Sequence, residues 1–175
     1  MQWWKRYQMM PHIREHSMIV ADVASCIAEK AAGLDPSIHP QAVRASALLH
    51  DLGKTYTIRY GGNHSQIGGA LVQELTGNPV IAQGVLHHVC WPGKLDVAAF
   101  FLPLTVIYAD KRVKHTEIVS LDERYGYILE RYGTTAYRQQ KIACSLDQVR
   151  SIEKQLGELI GDDLHACTFD RRRLV

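Results

Sequence analysis

The residues with the most chemistry in this chain are its histidines and the aspartates that stand among them. Nine histidines occur in 175 residues, and imidazole is the commonest side-chain metal ligand. Several fall where a helix face calls for apolar residues. His16 is in line with Val20, Val23 and Ile27, and His50 and Asp51 end the apolar run Ala45-Ser46-Ala47-Leu48-Leu49. His64 opens one periodic segment, His87-His88 closes the next, and Asp110 follows Val106-Ile107-Tyr108-Ala109. A carboxylate buried without a partner is strongly unfavourable or reverts to its neutral form. Carboxylates and imidazoles set together against a core therefore need a common partner. A divalent cation is one, because carboxylate oxygens and neutral imidazoles ligate it while it offsets their charge.

Hydrophobic periodicity shows which elements must position these groups. Residues 14–32 read as a helix stopped by Gly33, and residues 40–52 as a second, opened by Pro40 and ended by Gly53. Residues 55–63, with Gly61-Gly62, read as an irregular loop whose only regularity is a hint of alternation from Tyr56 to Tyr60. A third helix over 64–75 carries Ile67, Leu71 and Leu75, and a fourth spans 79–89. Trp91-Pro92-Gly93 marks a turn, Pro103 opens a fifth helix bearing Ile107 and Asp110, and a short sixth covers 120–131. The last, 135–160, has a stripe of Ile142, Leu146, Val149, Leu156 and Ile160 expected to pack on the core. The expectation is an all-α single domain of about six to seven helices over 1–175, with the candidate residues in its first two thirds.

Composition narrows the function classes. Apolar residues make up 46% and charged residues 22%, with a net charge of +2, so no bulk charge argues for a nucleic-acid polymer as partner. The arginine run 171–173 is short and reads as a solvated tail. Trp3 and Trp4 read as packing residues of an N-terminal segment. Nothing near the N-terminus resembles a signal peptide, and no window has membrane-spanning length. Cys26, Cys90, Cys144 and Cys167 lack Cys-x-x-Cys spacing and are expected to be reduced, mostly buried thiols of a cytoplasmic protein.

The ordered set His16, His50-Asp51 and Asp110 resembles the pattern His … His-Asp … Asp of the HD superfamily of metal-dependent phosphohydrolases. The segments that carry the resemblance are Arg14-Glu15-His16-Ser17, Ala47-Leu48-Leu49-His50-Asp51-Leu52-Gly53-Lys54 and Ile107-Tyr108-Ala109-Asp110-Lys111-Arg112. They cover roughly residues 14–112, leaving 118–161 as a helical extension and 162–175 as a tail. His64 and Leu86-His87-His88 look like the two further histidines of members with a binuclear centre. The resemblance then implies an HD-type helical bundle in which Asp51 bridges two ions. His16, His50 and Asp110 would complete one shell, and His64 with His87 the other, His87 being preferred to His88 by spacing. Mixed His/carboxylate ligands suit iron, manganese or zinc, with magnesium, nickel or cobalt also compatible.

Such a pair of ions turns a bound water into hydroxide at neutral pH and neutralises charge on phosphoryl oxygens. The implied activity is hydrolysis of a phosphate ester or anhydride, in a nucleotide or related small compound. Lys54 matches a family lysine near the substrate phosphate and is a catalytic candidate with Asp51. Lys111, Arg112 and Arg59 are weaker candidates for substrate contact. His12, His39, His115 and His165 read as surface histidines. The pattern is partly similar to that of small HD proteins that cleave dinucleoside tetraphosphates symmetrically. Two features depart from that group: the step from Asp51 to His64, and His87-His88-Val89-Cys90 where the group has another motif. The substrate therefore does not transfer. Two other classes stay open, a di-iron oxygenase-type enzyme and a non-catalytic nucleotide-binding regulatory domain. A homodimer is open as well.

Overall fold

Proline at the first helical position sets where three of the helices begin, because its fixed φ suits that turn and its missing N–H is not needed there. The computed structural model describes residues 2–166 and Phe169. After a short α1 (Gln2–Arg6), Pro11 opens α2 (Pro11–Ala32), Pro40 opens α3 (Pro40–Leu49) and Pro79 opens α6 (Pro79–His87). Side-chain caps start three of the others. Asn63 accepts from the N–H groups of Ser65 and Gln66 at the head of α5 (His64–Thr76), Ser120 caps α8 (Leu121–Tyr132) and Thr135 caps α9 (Ala136–Ile160). With α4 (Lys54–Tyr60) and α7 (Phe101–Lys111), nine helices lie among the described residues, so the all-α expectation holds. One antiparallel hairpin of two-residue strands, β1 (Val113–Lys114) and β2 (Glu117–Ile118), interrupts them.

The centre of the molecule is α7, all eleven of whose residues are buried. A helix that is covered on every side belongs inside a bundle, and α2, α3, α6 and α9 all pack against it. The main core joins Val20, Val23 and Ile27 of α2 to Leu104, Ile107 and Tyr108 of α7 and to Val149, Ile152 and Leu156 of α9. A second, smaller cluster of Trp4, Met9, Ile13, Leu49, Leu52, Val72 and Val85 seals the N-terminal end. The Trp4 indole there donates to the Leu48 carbonyl at 3.1 Å, which gives its buried N–H a partner.

Some expectations need correction. Residues 54–60 form α4 rather than an irregular loop. Their β-branched and aromatic side chains are weak helix formers, and the tertiary setting overrides that preference: Thr55 is buried and its hydroxyl accepts from the Met10 N–H at 3.0 Å. The second helix stops at Leu49, not Leu52, so His50 to Gly53 form a turn. Cys90 and Cys144, expected among buried thiols, are exposed. The stripe on α9 packs on the core as expected, with Val149, Ile152 and Leu156 buried and Ile142, Leu146 and Ile160 partly buried against it. Cys167 and the run 171–173 lie outside the described residues. No helix among the described residues is long and apolar enough to cross a membrane.

Candidate metal centre

Two helices end on the same device. His50 follows the last residue of α3 and His88 the last of α6, where terminal carbonyls lack intrahelical partners. Each ring uses its Nδ1 to reach back three residues: His50 to the Ala47 carbonyl and His88 to the Val85 carbonyl, both at 2.7 Å. A carbonyl only accepts, so in each ring the proton is on Nδ1 and the Nε2 lone pair is free to point inward. His16 on α2 has the same arrangement, its Nδ1 donating to the His115 carbonyl at 2.9 Å. That carbonyl belongs to the β1–β2 turn, where His115 has φ 56°.

The inward lone pairs meet two carboxylates. Asp51 Oδ2 lies 3.4 Å from His50 Nε2, while Asp51 Oδ1 lies 3.5 Å from His64 Nε2 and 3.6 Å from His88 Nε2. Asp110 Oδ1 is 3.0 Å from His16 Nε2 and 3.7 Å from His50 Nε2. The His64 and His88 Nε2 atoms are 3.1 Å apart. Donor atoms about 2.1 Å from one ion and roughly 90–110° apart lie about 3.0–3.5 Å from each other, so this spacing is that of a ligand shell. Two sets form, His16–His50–Asp51 and Asp51–His64–His88, with the donor atoms of each set within 4.8 Å of one another. Asp51 is common to both and turns a different oxygen to each.

Two further observations test whether a cation fits. The Nε2 of His50 and Oδ1 of Asp51 are fully buried and have no hydrogen-bond partner, an arrangement that is unfavourable unless a ligand completes it. His16 Nε2 faces a carboxylate oxygen at 3.0 Å; with Nδ1 donating to a carbonyl, a neutral ring sets two acceptors against each other there, a conflict that a cation between them resolves. The residues fit a divalent ion.

Electrostatics favour ligand-competent protonation states at Asp51, Asp110, His64 and His88. Burial would push the Asp51 carboxyl up, yet His50, His88 and Lys54 around it hold it well below the usual carboxylate range. Asp110 is likewise held well down against its burial, by the Lys111 ammonium and by His16 and His50. Burial, with the charge of His88 adding to it, pushes His64 down to about 4. Burial also lowers His88. His50 moves the other way: burial is outweighed by Asp51 and Asp110, which favour positive charge at its Nε2. Anionic carboxylates and neutral imidazoles are the forms that bind metal.

The remaining candidates separate by position. His87 is partly exposed and sets its ring edge-on to Trp91, 5.3 Å away, outside the cluster. The geometry therefore takes His88, not the preferred His87, to Asp51. Lys54 donates to Asp51 Oδ2 at 2.7 Å and lines a cleft of about 1070 Å³ that opens on the cluster. Lys111 lines it too, but its ammonium is committed to Asp110 at 2.5 Å. Arg112 is turned away: its guanidinium is buried among the Val119 carbonyl, the Tyr108 hydroxyl and the Leu164 carbonyl. Arg59 is exposed and donates to Gln8 at 2.9 Å, away from the cleft lining. His12 and His115, read as surface histidines, line the cleft. So do Arg124, Tyr127 and Arg131 of α8, which the sequence reading passed over. Their signal was a stripe at spacings of three and four.

An all-helical bundle with a buried His/Asp cluster fed from five segments defines a class of metal-binding helical domain. The chain belongs to the HD-domain family, whose sequence model matches residues 13–125. HD domains form a superfamily of metal-dependent phosphohydrolases and bind divalent metals. Among curated proteins, the chain is similar to ribonuclease Y of Opitutus terrae, 29% identical over 83% of this chain and 25% of that protein. It is also similar to ribonuclease Y of Wolinella succinogenes, 25% identical over 81% of this chain and 28% of that one. Ribonuclease Y of Campylobacter hominis is 32% identical over 42% of this chain and 13% of its own length. The chain thus matches only about a quarter of the length of its first two relatives. No solved structure matches it.

Proposed function

We propose that this chain is a binuclear metal-dependent phosphohydrolase acting on a phosphate ester or anhydride of a nucleotide or related small phosphorylated compound. The observation that carries the reading is Asp51, whose two oxygens face two separate histidine sets. In it, His16, His50 and Asp110 hold one ion and His64 and His88 the other, with Asp51 shared. When bound, such a pair supplies Lewis-acid activation of water and neutralises charge on the phosphoryl oxygens. The chain supplies the rest. Nδ1 hydrogen bonds fix His16, His50 and His88 in orientation. Lys54, its pKa raised because Asp51 outweighs the effect of burial, stays an ammonium at the mouth of the cluster and is placed to receive a phosphoryl oxygen. Hydrolysis adds water across a P–O bond, and the leaving oxygen takes up a proton.

The relatives' name favours a second reading, in which the scissile bond is a phosphodiester of RNA. One set of assays separates the two and tests the class. Metal content is measured, phosphate release is followed from nucleotides, and strand cleavage is followed in short oligoribonucleotides, for the wild type and Asp51→Ala. The expected result is bound transition metal and hydrolysis in the wild type, with a loss of roughly 1000-fold or more in the variant. A wild type that takes up no transition metal would sink the proposal.

A further inference from the structure

The cleft is larger than the metal cluster requires, and α8 and α9 build a second wall for it. On α8, Arg124, Tyr127, Ile128 and Arg131 recur at spacings of three, one and three, which places them on one helix face, and all four line the cleft. Lys141 joins them from α9. Several cations around this wall have carboxylate partners: Arg150 with Asp122 at 2.6 Å, Lys114 with Glu123 at 3.0 Å and Lys154 with Glu158 at 3.8 Å. Arg124, Arg131 and Lys141, which face the cleft, have none among the described residues. Arg131 donates instead to the Tyr127 hydroxyl at 2.6 Å, and the Nε of Arg124 is buried without a hydrogen-bond partner. Outside the metal cluster the lining contains one carboxylate, Glu15. A buried guanidinium nitrogen left without an acceptor is unfavourable, and a concave wall of cations without carboxylate partners attracts anions.

The order along α8 says more. The Val119 N–H donates to the Arg112 carbonyl and the Arg112 guanidinium to the Val119 carbonyl, both at 2.8 Å, which ties the head of α8 to the end of α7 that carries Asp110 and makes Arg124 the cluster-proximal cation. Arg131 is two turns on, about 10 Å along the axis. Between the two guanidinium groups lie a tyrosine ring and an isoleucine, so cation, apolar surface and cation follow one another. That sequence is the complement of phosphate, nucleoside and phosphate. It does not match adjacent phosphates of a polyphosphate chain, which present no apolar step.

Resting on the phosphohydrolase reading above, we propose that Arg131, assisted by Lys141, forms a subsite for a second phosphate lying one nucleoside away from the phosphate at the metal centre, beside which Arg124 stands. The substrate class is then a nucleotide with phosphate on both sides of its nucleoside. A free nucleoside 3′,5′-bisphosphate and the end residue of a short oligonucleotide share that chemistry. Arginine suits the role because its planar fork binds phosphate bidentately and is weakly hydrated.

The test compares adenosine 5′-monophosphate, adenosine 5′-diphosphate, adenosine 3′,5′-bisphosphate and the dinucleotide pApA as substrates of the metal-loaded full chain. The bisphosphate or pApA is expected to exceed the monophosphate by roughly tenfold or more in kcat/KM, mainly through KM. Whichever of the two leads identifies the source. Arg131→Met should collapse that preference roughly tenfold, and Arg131→Lys should restore part of it. Arg131 is exposed, so its variants keep the fold, which thermal melts check. Calorimetric titration of the same compounds into Asp51→Ala, with and without Arg131→Met, reads binding without turnover. If every compound resists hydrolysis while the bisphosphate still binds through Arg131, the hydrolase reading fails and the subsite stands. If hydrolysis proceeds but the preference is absent, extends equally to the 5′-diphosphate or survives Arg131→Met, the subsite is overturned.

Discussion

His87 and His88 differ by one position and have different surroundings. Adjacent helical residues point about 100° apart, and α6 ends between them, so one ring enters the cluster while its neighbour packs on Trp91. His88 is 2% exposed and tied by its Nδ1 to Val85, which fixes both its tautomer and its aim. Replacing His88 with Ala should remove one donor from the second ion and lower hydrolysis by roughly 100-fold or more, with a parallel drop in metal content. His87→Ala should keep its metal and stay within a few-fold of wild type. Metal analysis and initial rates on the two purified variants decide it, and the opposite ranking would return the ligand role to His87. Sequence spacing could show that a histidine belonged here, since both candidates sit at the end of one periodic segment. It could not choose between them, because the choice depends on how far α6 rotates as it packs on α3 and α7. His16, His50, Asp51 and Asp110 were easier to read, each being a polar residue placed in an apolar run.

At the scale of elements, the cluster depends on how closely α5 approaches the turn after α3. Gly53 makes that approach. A Cβ there would stand 2.6 Å from the His64 carbonyl oxygen and 2.9 Å from the Gly68 nitrogen, both backbone atoms that cannot move aside alone. Its φ of −78° is open to any residue, so the need for glycine is steric. Gly68 and Gly69 continue the fit, facing Val85 and Leu86 of α6. Gly53→Ala should therefore push α5 away, destabilise the fold by about 1–3 kcal/mol and displace His64 from Asp51. Urea unfolding with metal titration reads both effects. A variant with wild-type stability and metal content would show that the contact yields freely. In the sequence this glycine looked only like a helix stop, because steric need across two segments leaves no periodic trace. Helix α4 was missed for a related reason: Tyr56, Thr57 and Ile58 are weak helix formers, and the buried Thr55 bond to Met10 that anchors them spans 45 positions.

Over the whole molecule, the cluster lies where the two apolar cores meet. His16 follows Ile13 of the smaller core and precedes Ile19 of the larger, while His50 and Asp51 stand between Leu49 and Leu52 of the smaller one. Two buried carboxylates and their imidazoles at such a junction are in tension with the packing around them until a cation offsets their charge. Metal binding should then be part of the stability of the fold and not only of its chemistry. At an ion concentration about one hundred times Kd, binding adds roughly 2.7 kcal/mol to stability, which for a chain of this size raises Tm by about 5–11 °C. Chelation should reverse that shift, and stoichiometric manganese or zinc should restore it. Asp51→Ala, which loses the residue shared by both sets, should melt at the same temperature with and without chelator. Differential scanning calorimetry of the two proteins supplies the comparison. A wild-type Tm indifferent to chelation would mean that the histidines and carboxylates satisfy one another through protons alone, and would remove the metal from the account of both the fold and the site.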